Sequence, residues 1–231
     1  MTKNQKILSF VLLFALLETL LILYIDRPLS LFMRQMDVDH RGFVDFFRDI
    51  TDFGKGKWYM VPTALLVAAC AFAIRLKSVK KKTRELIYQI GEGSLFIFAC
   101  VAISGIVTDL LKIIIGRSRP VLLDRENVYA AQFFVFDSTW KSMPSGHTTT
   151  VIAAMCALFI LLPRWRWVWL AVALILVASR VVVNAHYLSD VLAGSLVGCV
   201  SAILINQYFN HNGINHVKNS IFPIDRKSSR A

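Results

Sequence analysis

Histidines, carboxylates and cations occur together in three short segments of the second half of the chain. In the last segment, His186 precedes Asp190 by four residues, so on a helical turn the two side chains lie on one face and can hydrogen-bond. A carboxylate on one imidazole nitrogen fixes the tautomer and leaves the other nitrogen as a nucleophile or base. Arg180 precedes both residues, late in an apolar stretch where an arginine is expected to be functional. The simpler alternative is that Asp190 caps the next helix and His186 is a loop residue.

The second segment is Pro144-Ser145-Gly146-His147, which lies directly before an apolar stretch. If a helix begins there, its first backbone N–H groups are unpaired and its dipole is positive, which favours anion binding. Gly146 would let the backbone approach the anion closely. The alternative is an ordinary serine cap followed by a glycine turn.

The first segment contains Lys112 and, seven residues later, Arg119-Pro120. If one helix includes both, seven residues make about two turns and the two cations face the same way. The alternative is a pair of cations that snorkel to a membrane surface. Asp109 lies one helical turn before Lys112 and is expected to offset part of its charge. Arg117 and Arg125 either add contacts to the same anion or belong to a loop that faces phospholipid.

Composition identifies the setting of these segments as a membrane. The chain has 231 residues, 56% of them hydrophobic and 18% charged, and its mean hydropathy is +0.56. Soluble domains have about 45–50% apolar and about 25% charged residues, so this composition excludes disorder, coiled coils and most soluble folds. The net charge of +11 comes from cations scattered between apolar segments. A phospholipid bilayer or a phosphorylated substrate is therefore a better partner than nucleic acid.

Hydropathy predicts an all-α integral membrane protein, a bundle of six transmembrane helices that forms a single domain over residues 1–231. The first predicted span is too long for the core of a signal peptide, about 7–15 residues, and is interpreted as retained. The six spans are Ile7–Ile25, Tyr59–Ile74, Gly93–Ile115, Thr148–Leu162, Val168–Val183 and Val191–Ile205. Three loops are predicted between them: a long polar loop Asp26–Lys57, a basic loop Arg75–Glu85 and a third loop Gly116–His147.

The three segments, in this order, resemble the signature motifs of the type-2 phosphatidic acid phosphatase superfamily, the integral-membrane lipid phosphate phosphatases. The resemblance covers Lys112 to Asp190 and the six-span layout. It implies a phosphohydrolase that needs no metal and no cofactor, with its motifs at the outer membrane–water interface. It further implies that His186 is the nucleophile, Asp190 its orienting partner and His147 the general acid. The implied phosphate ligands are Lys112, Arg119, Ser145, the Gly146 backbone and Arg180.

Elementary chemistry is consistent with these implied roles. A phosphate monoester is dianionic, and its transition state spreads negative charge over three equatorial oxygens. Fixed cations and helix N–H groups can stabilise that charge without a metal ion. The four cysteines all lie in predicted spans, where thiols act as small packing groups, so neither a disulfide framework nor a metal site is predicted.

The substrate and the type of reaction stay open. Phosphatidylglycerophosphate, undecaprenyl pyrophosphate, phosphatidic acid and lipid A phosphate all present the same group. A lipid phosphotransferase would pass the phosphoryl group to a second lipid, and a membrane anion transporter would use the cations for conduction. A vanadium haloperoxidase shares the motifs but would be soluble.

Charge asymmetry predicts the orientation of the chain in a bacterial inner membrane. The dense cluster Lys80-Lys81-Lys82 with Arg84 is the clearest cytoplasmic marker. With six spans, both termini then face the cytoplasm, and the loop Gly116–His147 faces the periplasm or exterior. The oligomeric state is left open.

Overall fold

The computed structural model describes residues 2–76 and 80–212, and within these residues the chain is helical apart from turns and one isolated bridge between Arg117 and Ala131. The helices are α1 Lys3–Leu20, α2 Asp26–Asp39, α3 Arg41–Ile50, α4 Lys57–Ile74, α5 Lys81–Ile115, α6 Pro120–Glu126, α7 Gly146–Leu161, α8 Arg166–Val182 and α9 Leu188–His211. A π-helical turn, Leu21–Ile25, joins α1 to α2, and a 3₁₀ turn, Thr51–Gly54, follows α3. The predicted all-α class is confirmed.

Five stretches of the described chain are long and apolar enough to cross a membrane. They are Lys3–Asp39, Arg41–Ile74, Lys81–Ile115, Pro163–Val182 and Leu188–His211. The apolar helix α7 has 16 residues, which corresponds to about 24 Å and is shorter than a hydrocarbon core of about 30 Å. The protein is thus an integral membrane protein whose helices match the six predicted spans in order, although several of their ends differ.

The predicted polar loop Asp26–Lys57 is wrong, because most of it is helical. The charges that suggested a loop pair along one side of α2 and α3: Arg48 forms ion pairs with Asp37 and Asp45. Phe43 and Phe46 are exposed. A helix with a charged face and an exposed aromatic face is typical of a segment that lies at the membrane surface.

Two predicted spans are shorter than the helices that contain them. Helix α5 begins at Lys81 rather than near Gly93, so part of the predicted basic loop is helix, and α9 continues to His211. Polar residues on these extensions ended the hydropathy signal although the helices continue. Residues 77–79 of the basic loop and the tail from residue 213 lie outside the described residues.

Helix α7 is the centre of the bundle and packs against α5, α8 and α9. Its buried face consists mainly of threonine and alanine, small residues that let the neighbouring backbones approach closely. Two clusters form the core. The first contains Phe96, Cys100, Ala153, Ala157, Ala202, Ile205 and Phe209, and the second contains Val101, Val151, Ala154, Met155, Ala173 and Leu176.

Close approach of α9 to α7 determines where the site lies. A Cβ on Gly194 would stand 2.7 Å from the Ser145 carbonyl oxygen, and one on Gly198 would stand 2.8 Å from that of Thr149. Only glycine permits these contacts. The N-terminal ends of α7 and α9, which bear the second and third segments identified in the sequence, are therefore held side by side.

Candidate active site

The structure brings His186 and Asp190 together as their spacing predicts. His186 lies in the turn before α9 and is buried, and Asp190 lies in the first turn of α9. The His186 Nδ1 is 3.6 Å from the Asp190 Oδ2, a separation typical of catalytic pairs that tighten only around a substrate. Asp190 also accepts the Tyr187 backbone N–H at 2.9 Å. Asp190 thus both caps α9 and faces the imidazole, so the two alternatives are compatible.

Ser142 completes this pair, although the sequence did not single it out. Its hydroxyl donates to the Asp190 Oδ2 at 2.5 Å and lies 3.4 Å from the His186 Nδ1. Burial lowers the pKa of His186 to about 4, although the Asp190 carboxylate acts in the opposite direction. The imidazole is therefore neutral at neutral pH, which is the form a nucleophile needs.

Arg117 holds the opposite oxygen of Asp190. Its guanidinium donates to the Asp190 Oδ1 at 2.7 Å and to the Asp26 Oδ2 at 2.8 Å. Asp26 also accepts the Ser189 backbone N–H at 3.1 Å. Asp26, Arg117 and Asp190 are all buried, and we call them the Arg117 triad. The sequence left two alternatives for Arg117, a contact to the anion and a place in a lipid-facing loop. The structure shows neither, because Arg117 forms buried ion pairs with Asp26 and Asp190.

Lys112 and Arg119 do not belong to one continuous helix, so the condition under which their spacing would place them on one face is not met. Helix α5 ends at Ile115, and Gly116 adopts a left-handed φ of 54° that turns the chain. A Cβ on Gly116 would stand 1.6 Å from the Gln132 carbonyl oxygen, so the turn requires glycine. Arg119 then precedes α6 as its N-cap residue. The two cations reach the same region from separate elements.

Arg180 reaches the site from the last turn of α8 and is 8% exposed. Its Nη1 donates to the Thr51 hydroxyl at 2.8 Å. The Lys112 Nζ lies beside Gly146, 3.0 Å from where a Cβ would stand. Lys112, Arg119 and Arg180 also repel one another electrostatically. We call these three residues the unpaired cations.

None of the unpaired cations forms a salt bridge with any described residue. The Nε groups of Arg119 and Arg180 are buried and have no hydrogen-bond partner in the described part of the chain. Buried donors and charges without partners are costly unless a ligand supplies the partner. The arrangement therefore fits a multiply charged anion.

The N-terminus of α7 adds backbone donors next to these cations. Ser145 is the N-cap residue of α7, but its side chain makes no capping hydrogen bond; its hydroxyl instead accepts from the Thr148 hydroxyl at 3.0 Å. Ser145 thus occupies the N-cap position that the alternative expected, but its hydroxyl does not cap the helix. The ring of His147 lies against the 3₁₀ turn, and a Cβ on Gly54 would stand 3.0 Å from its Cδ2 atom.

Sequence reasoning missed Asp26, Thr51 and Ser142. Asp26 had a usable signal, since a carboxylate at the end of an apolar helix is as unusual as the Arg180 that was identified. Thr51 and Ser142 are short polar residues in segments interpreted as loops, and nothing in their spacing distinguishes them. In the described residues there is no cluster of three or more side chains suited to a metal ion.

Comparison with known proteins agrees with this geometry. The family model of the PAP2 superfamily matches residues 93–214. A lipid A 1-phosphatase of Rhizobium johnstonii is 32% identical over 192 residues, which cover 83% of this chain and 76% of that protein. A lipid A 1-phosphatase of Rhizobium etli is 34% identical over 149 residues, 64% of each chain. The bacitracin transport permease protein BcrC of Bacillus licheniformis is 24% identical over 70% of this chain and 78% of its own.

One crystal structure has the same fold. It is that of a transmembrane PAP2-type phosphatidylglycerolphosphate phosphatase from Bacillus subtilis, with a TM-score of 0.61 and 19% identity. The match covers 88% of this chain and 96% of that one. The matched family model includes all eight predicted site residues, Lys112, Arg119, Ser145, Gly146, His147, Arg180, His186 and Asp190. The resemblance noted in the sequence is confirmed, and the chain belongs to the PAP2 superfamily.

Proposed function

We propose that this protein is a lipid phosphate phosphatase that works through a phosphohistidine on His186. The observation that supports it most directly is the placement of three buried or half-buried cations without carboxylate partners around a neutral histidine that Asp190 orients. A phosphate dianion supplies the negative charge that Lys112, Arg119 and Arg180 lack. Preorganised donors of this kind stabilise the charge of a phosphoryl-transfer transition state.

The proposed reaction has two steps in which His147 changes roles. In the first, the His186 Nε2 attacks phosphorus, the bond from phosphorus to the leaving oxygen breaks, and His147 gives that oxygen a proton. In the second, His147 takes a proton from a water molecule, which attacks the phosphohistidine. The P–N bond then breaks, and inorganic phosphate and His186 are released. Asp190 holds the proton on the His186 Nδ1 throughout, which keeps the Nε2 lone pair available.

The three cations and the α7 N-terminus take the place of a metal ion in this proposal. Activity is therefore expected to survive excess chelator. Vanadate and tungstate, which mimic five-coordinate phosphorus, are expected to inhibit. Complete loss with chelator that a divalent cation restores would refute this part of the proposal.

We propose lipid A phosphate as the first substrate to test, because two lipid A 1-phosphatases match 83% and 64% of this chain. Phosphatidylglycerophosphate, phosphatidic acid and undecaprenyl pyrophosphate are the other candidates. All would bind at headgroup depth with their chains in the bilayer, since Lys112 and Arg180 lie at helix ends.

Trapping of the covalent intermediate is the experiment that tests the mechanism. Purified protein mixed with a ³²P-labelled lipid phosphate and quenched in alkali should contain acid-labile label on the peptide with His186. The His186→Ala variant should fold, insert and lose essentially all turnover and label. His211→Ala, an exposed histidine at the end of α9, is the matched control and should behave as wild type. Wild-type activity in His186→Ala would refute the mechanism.

The same purified protein and labelled lipid distinguish a phosphatase from the two alternative functions, a phosphotransferase and an anion transporter. A phosphotransferase would form the same intermediate but give a phosphorylated second lipid, which analysis of the products detects. An anion transporter would release no phosphate in detergent. The orientation of Asp190 by Ser142, Arg117 and a backbone N–H serves a nucleophile, and conduction does not need it.

We also propose that the chain is one membrane-embedded domain in a bacterial inner membrane, with both termini cytoplasmic and the site on the periplasmic or exterior side. Helix α5 has 35 residues, about 52 Å, so its two ends lie on opposite sides of a hydrocarbon core of about 30 Å. Its first end carries Lys81 and Lys82, which favours the cytoplasm. Lys112 and the site lie at the other end.

Cysteine labelling tests this orientation. In a background that lacks the four native cysteines, Ala130→Cys should react with an impermeant thiol reagent in intact spheroplasts. Lys81→Cys should react only after the membrane is opened. The reverse pattern would invert the proposed orientation.

A further inference from the structure

A cavity of about 250 Å³ with several polar side chains in its lining lies beside His147, between α5, α7 and the segment after α3. Four of its nine lining residues are glycines, and no aliphatic or aromatic side chain of the described residues lines it. The five side chains that do line it are Lys55, Thr108, Asp109, His147 and Thr150. Two other cavities, between α7, α8 and α9 and around Phe46 and Phe53, have mainly apolar linings. The cavity beside His147 is thus chemically distinct within an apolar bundle.

The cavity adjoins the phosphate site at one defined place. Of the eight predicted site residues, Gly146 and His147 line it, whereas the other six do not. His147 is the proposed acid that protonates the leaving oxygen, so it must lie within hydrogen-bond reach of that oxygen. The nucleophile and the leaving group lie in line on opposite sides of phosphorus. The part of the substrate that departs from His186 is therefore directed toward His147 and the cavity.

We infer that this cavity is a leaving-group subsite that binds a neutral, hydroxyl-bearing headgroup, a sugar or a glycerol, to which the phosphate is attached. The inference rests on the proposed function. Thr150 offers a hydroxyl and Asp109 offers an acceptor. The Thr108 hydroxyl donates to the Thr149 Oγ1 at 3.0 Å and can still accept, and the Lys55 ammonium, which also pairs with Asp52, can donate. Together these groups suit several hydroxyl groups. An acyl or prenyl chain would remove these polar groups from water and give them no hydrogen bonds in return.

Asp109 is the residue that sets this preference. It lies in a membrane-spanning helix, is exposed, and forms no hydrogen bond or salt bridge with any described residue, although its carboxylate attracts the Lys112 ammonium electrostatically. Carboxylates in spanning helices are expected to face a polar partner and to have a function. The Lys55 ammonium is paired with Asp52 outside the cavity, so it does not neutralise Asp109. A second phosphate, as in a pyrophosphate, would be repelled by the Asp109 carboxylate and would compete with it for Lys112.

Filling the cavity tests the inference. Gly105 lines the cavity, and a Cβ added there has no atom within 4 Å. Gly105→Leu therefore occupies the cavity, and leucine is a better helix former than glycine, so α5 is not weakened. We expect kcat/KM for lipid A phosphate to fall at least thirtyfold relative to that for phosphatidic acid. The leaving group of phosphatidic acid is diacylglycerol, which has no hydroxyl besides the one that is released. Asp109→Asn should lower the same ratio about tenfold.

Matched controls exist for both variants. Gly42 is a helical glycine in α3, likewise with no atom within 4 Å of an added Cβ, and Gly42→Leu should leave the ratio unchanged. Glu85→Gln removes an exposed carboxylate at the far end of α5 and should also leave it unchanged. Phosphatidylglycerophosphate is the third substrate. If Gly105→Leu lowers kcat/KM selectively for lipid A phosphate, the subsite binds a sugar. If it lowers kcat/KM selectively for phosphatidylglycerophosphate, the subsite binds a glycerol. An equal loss with all three substrates would overturn the inference.

A binding measurement separates this inference from the proposed function. If the wild type hydrolyses no lipid phosphate, the proposed function fails, and the subsite is judged by ligand stabilisation alone. Glucose 1-phosphate or glycerol 3-phosphate should then raise the Tm of the detergent-solubilised wild type more than inorganic phosphate does. In Gly105→Leu that difference should vanish. Equal stabilisation of the wild type by all three ligands would refute the subsite.

Discussion

Two groups of buried charge lie next to His186 and Asp190, and they differ in how their charge is balanced. In the Arg117 triad, one guanidinium bonds two carboxylates, at 2.7 and 2.8 Å. The unpaired cations have three positive charges and no salt bridge among the described residues. A balanced buried network is expected to hold geometry, and removal of one partner leaves a costly charge. An unbalanced network is itself costly and marks the place where a ligand binds.

This difference also shows how the chain assembles one site from distant segments. Asp26 comes from the start of α2 and Arg117 from the turn after α5, and both contact the first turn of α9. The triad thus anchors the start of α2 and the turn after α5 to the residue that orients His186. The unpaired cations come from α5, the α6 N-cap and α8, and no described carboxylate joins them.

The largest expected effect is on an unpaired cation. Arg180→Gln should lower kcat/KM about a thousandfold, because loss of one preorganised donor to transition-state charge costs about 10²–10³. Its Tm should stay the same or rise, since the variant removes a buried charge without a carboxylate partner. Vanadate should stabilise the wild type against heating and should no longer stabilise the variant. A strongly lowered Tm would show that Arg180 stabilises the fold as the Arg117 triad does. That result would contradict the distinction between the triad and the unpaired cations.

Substitution in the Arg117 triad is expected to have the next largest effect, and mainly on the free energy of unfolding. Arg117→Met leaves Asp26 and Asp190 buried without their cation, which should lower the free energy of unfolding by about 3–5 kcal/mol. Unfolding in mixed micelles measures this change. A second change, Asp26→Asn, should recover part of the loss because it removes one of the two uncompensated charges.

Arg125→Met, at an exposed position in α6, is the control for that experiment and should change stability by less than about 0.5 kcal/mol. If Arg117→Met were as stable as this control, the triad would have no structural role.

The sequence predicted the contents of the unpaired cluster far better than those of the triad. Lys112, Arg119 and Arg180 stood out because cations are unusual at the ends of apolar segments. For Lys112 and Arg119, a shared face was expected only if one helix included both residues. That condition is not met, because a left-handed glycine at position 116 turns the chain.

The triad was not predictable from spacing alone, because its bonds join residues that are far apart in sequence. Asp26 and Arg117 are separated by 91 positions, and no local periodicity relates them. The six-helix layout was predictable because hydropathy is a local property. The helices and helix ends outside the apolar segments were not predictable from hydropathy, because α2, α3 and the first turns of α5 are polar. Ion pairs stabilise α2 and α3, and the first turns of α5 continue a long helix.

The last expected effect concerns Asp190, which belongs to the triad and also faces His186. Asp190→Asn keeps the size of the side chain but can donate an amide N–H to the His186 Nδ1. That would place the ring proton on Nε2 and remove the nucleophilic lone pair. We expect kcat/KM to fall about a hundredfold. Burial lowers the pKa of His186 to about 4, and the Asp190 carboxylate opposes that shift by stabilising the charged ring.

Loss of the carboxylate can therefore only lower the pKa of His186 further, and the ring stays neutral between pH 5.5 and 8 in both proteins. The ratio of kcat/KM in wild type to that in the variant should accordingly be constant over this range, with substrate ionisation cancelling between the two. Asp137 is an exposed aspartate between α6 and α7 whose carboxylate accepts hydrogen bonds from Thr139. Asp137→Asn should give a ratio near one. If the ratio for Asp190→Asn changed more than about threefold with pH, the carboxylate would be acting on the protonation state of His186 and not on its orientation. The distinction between charges that hold geometry and charges that bind substrate would then not extend to Asp190.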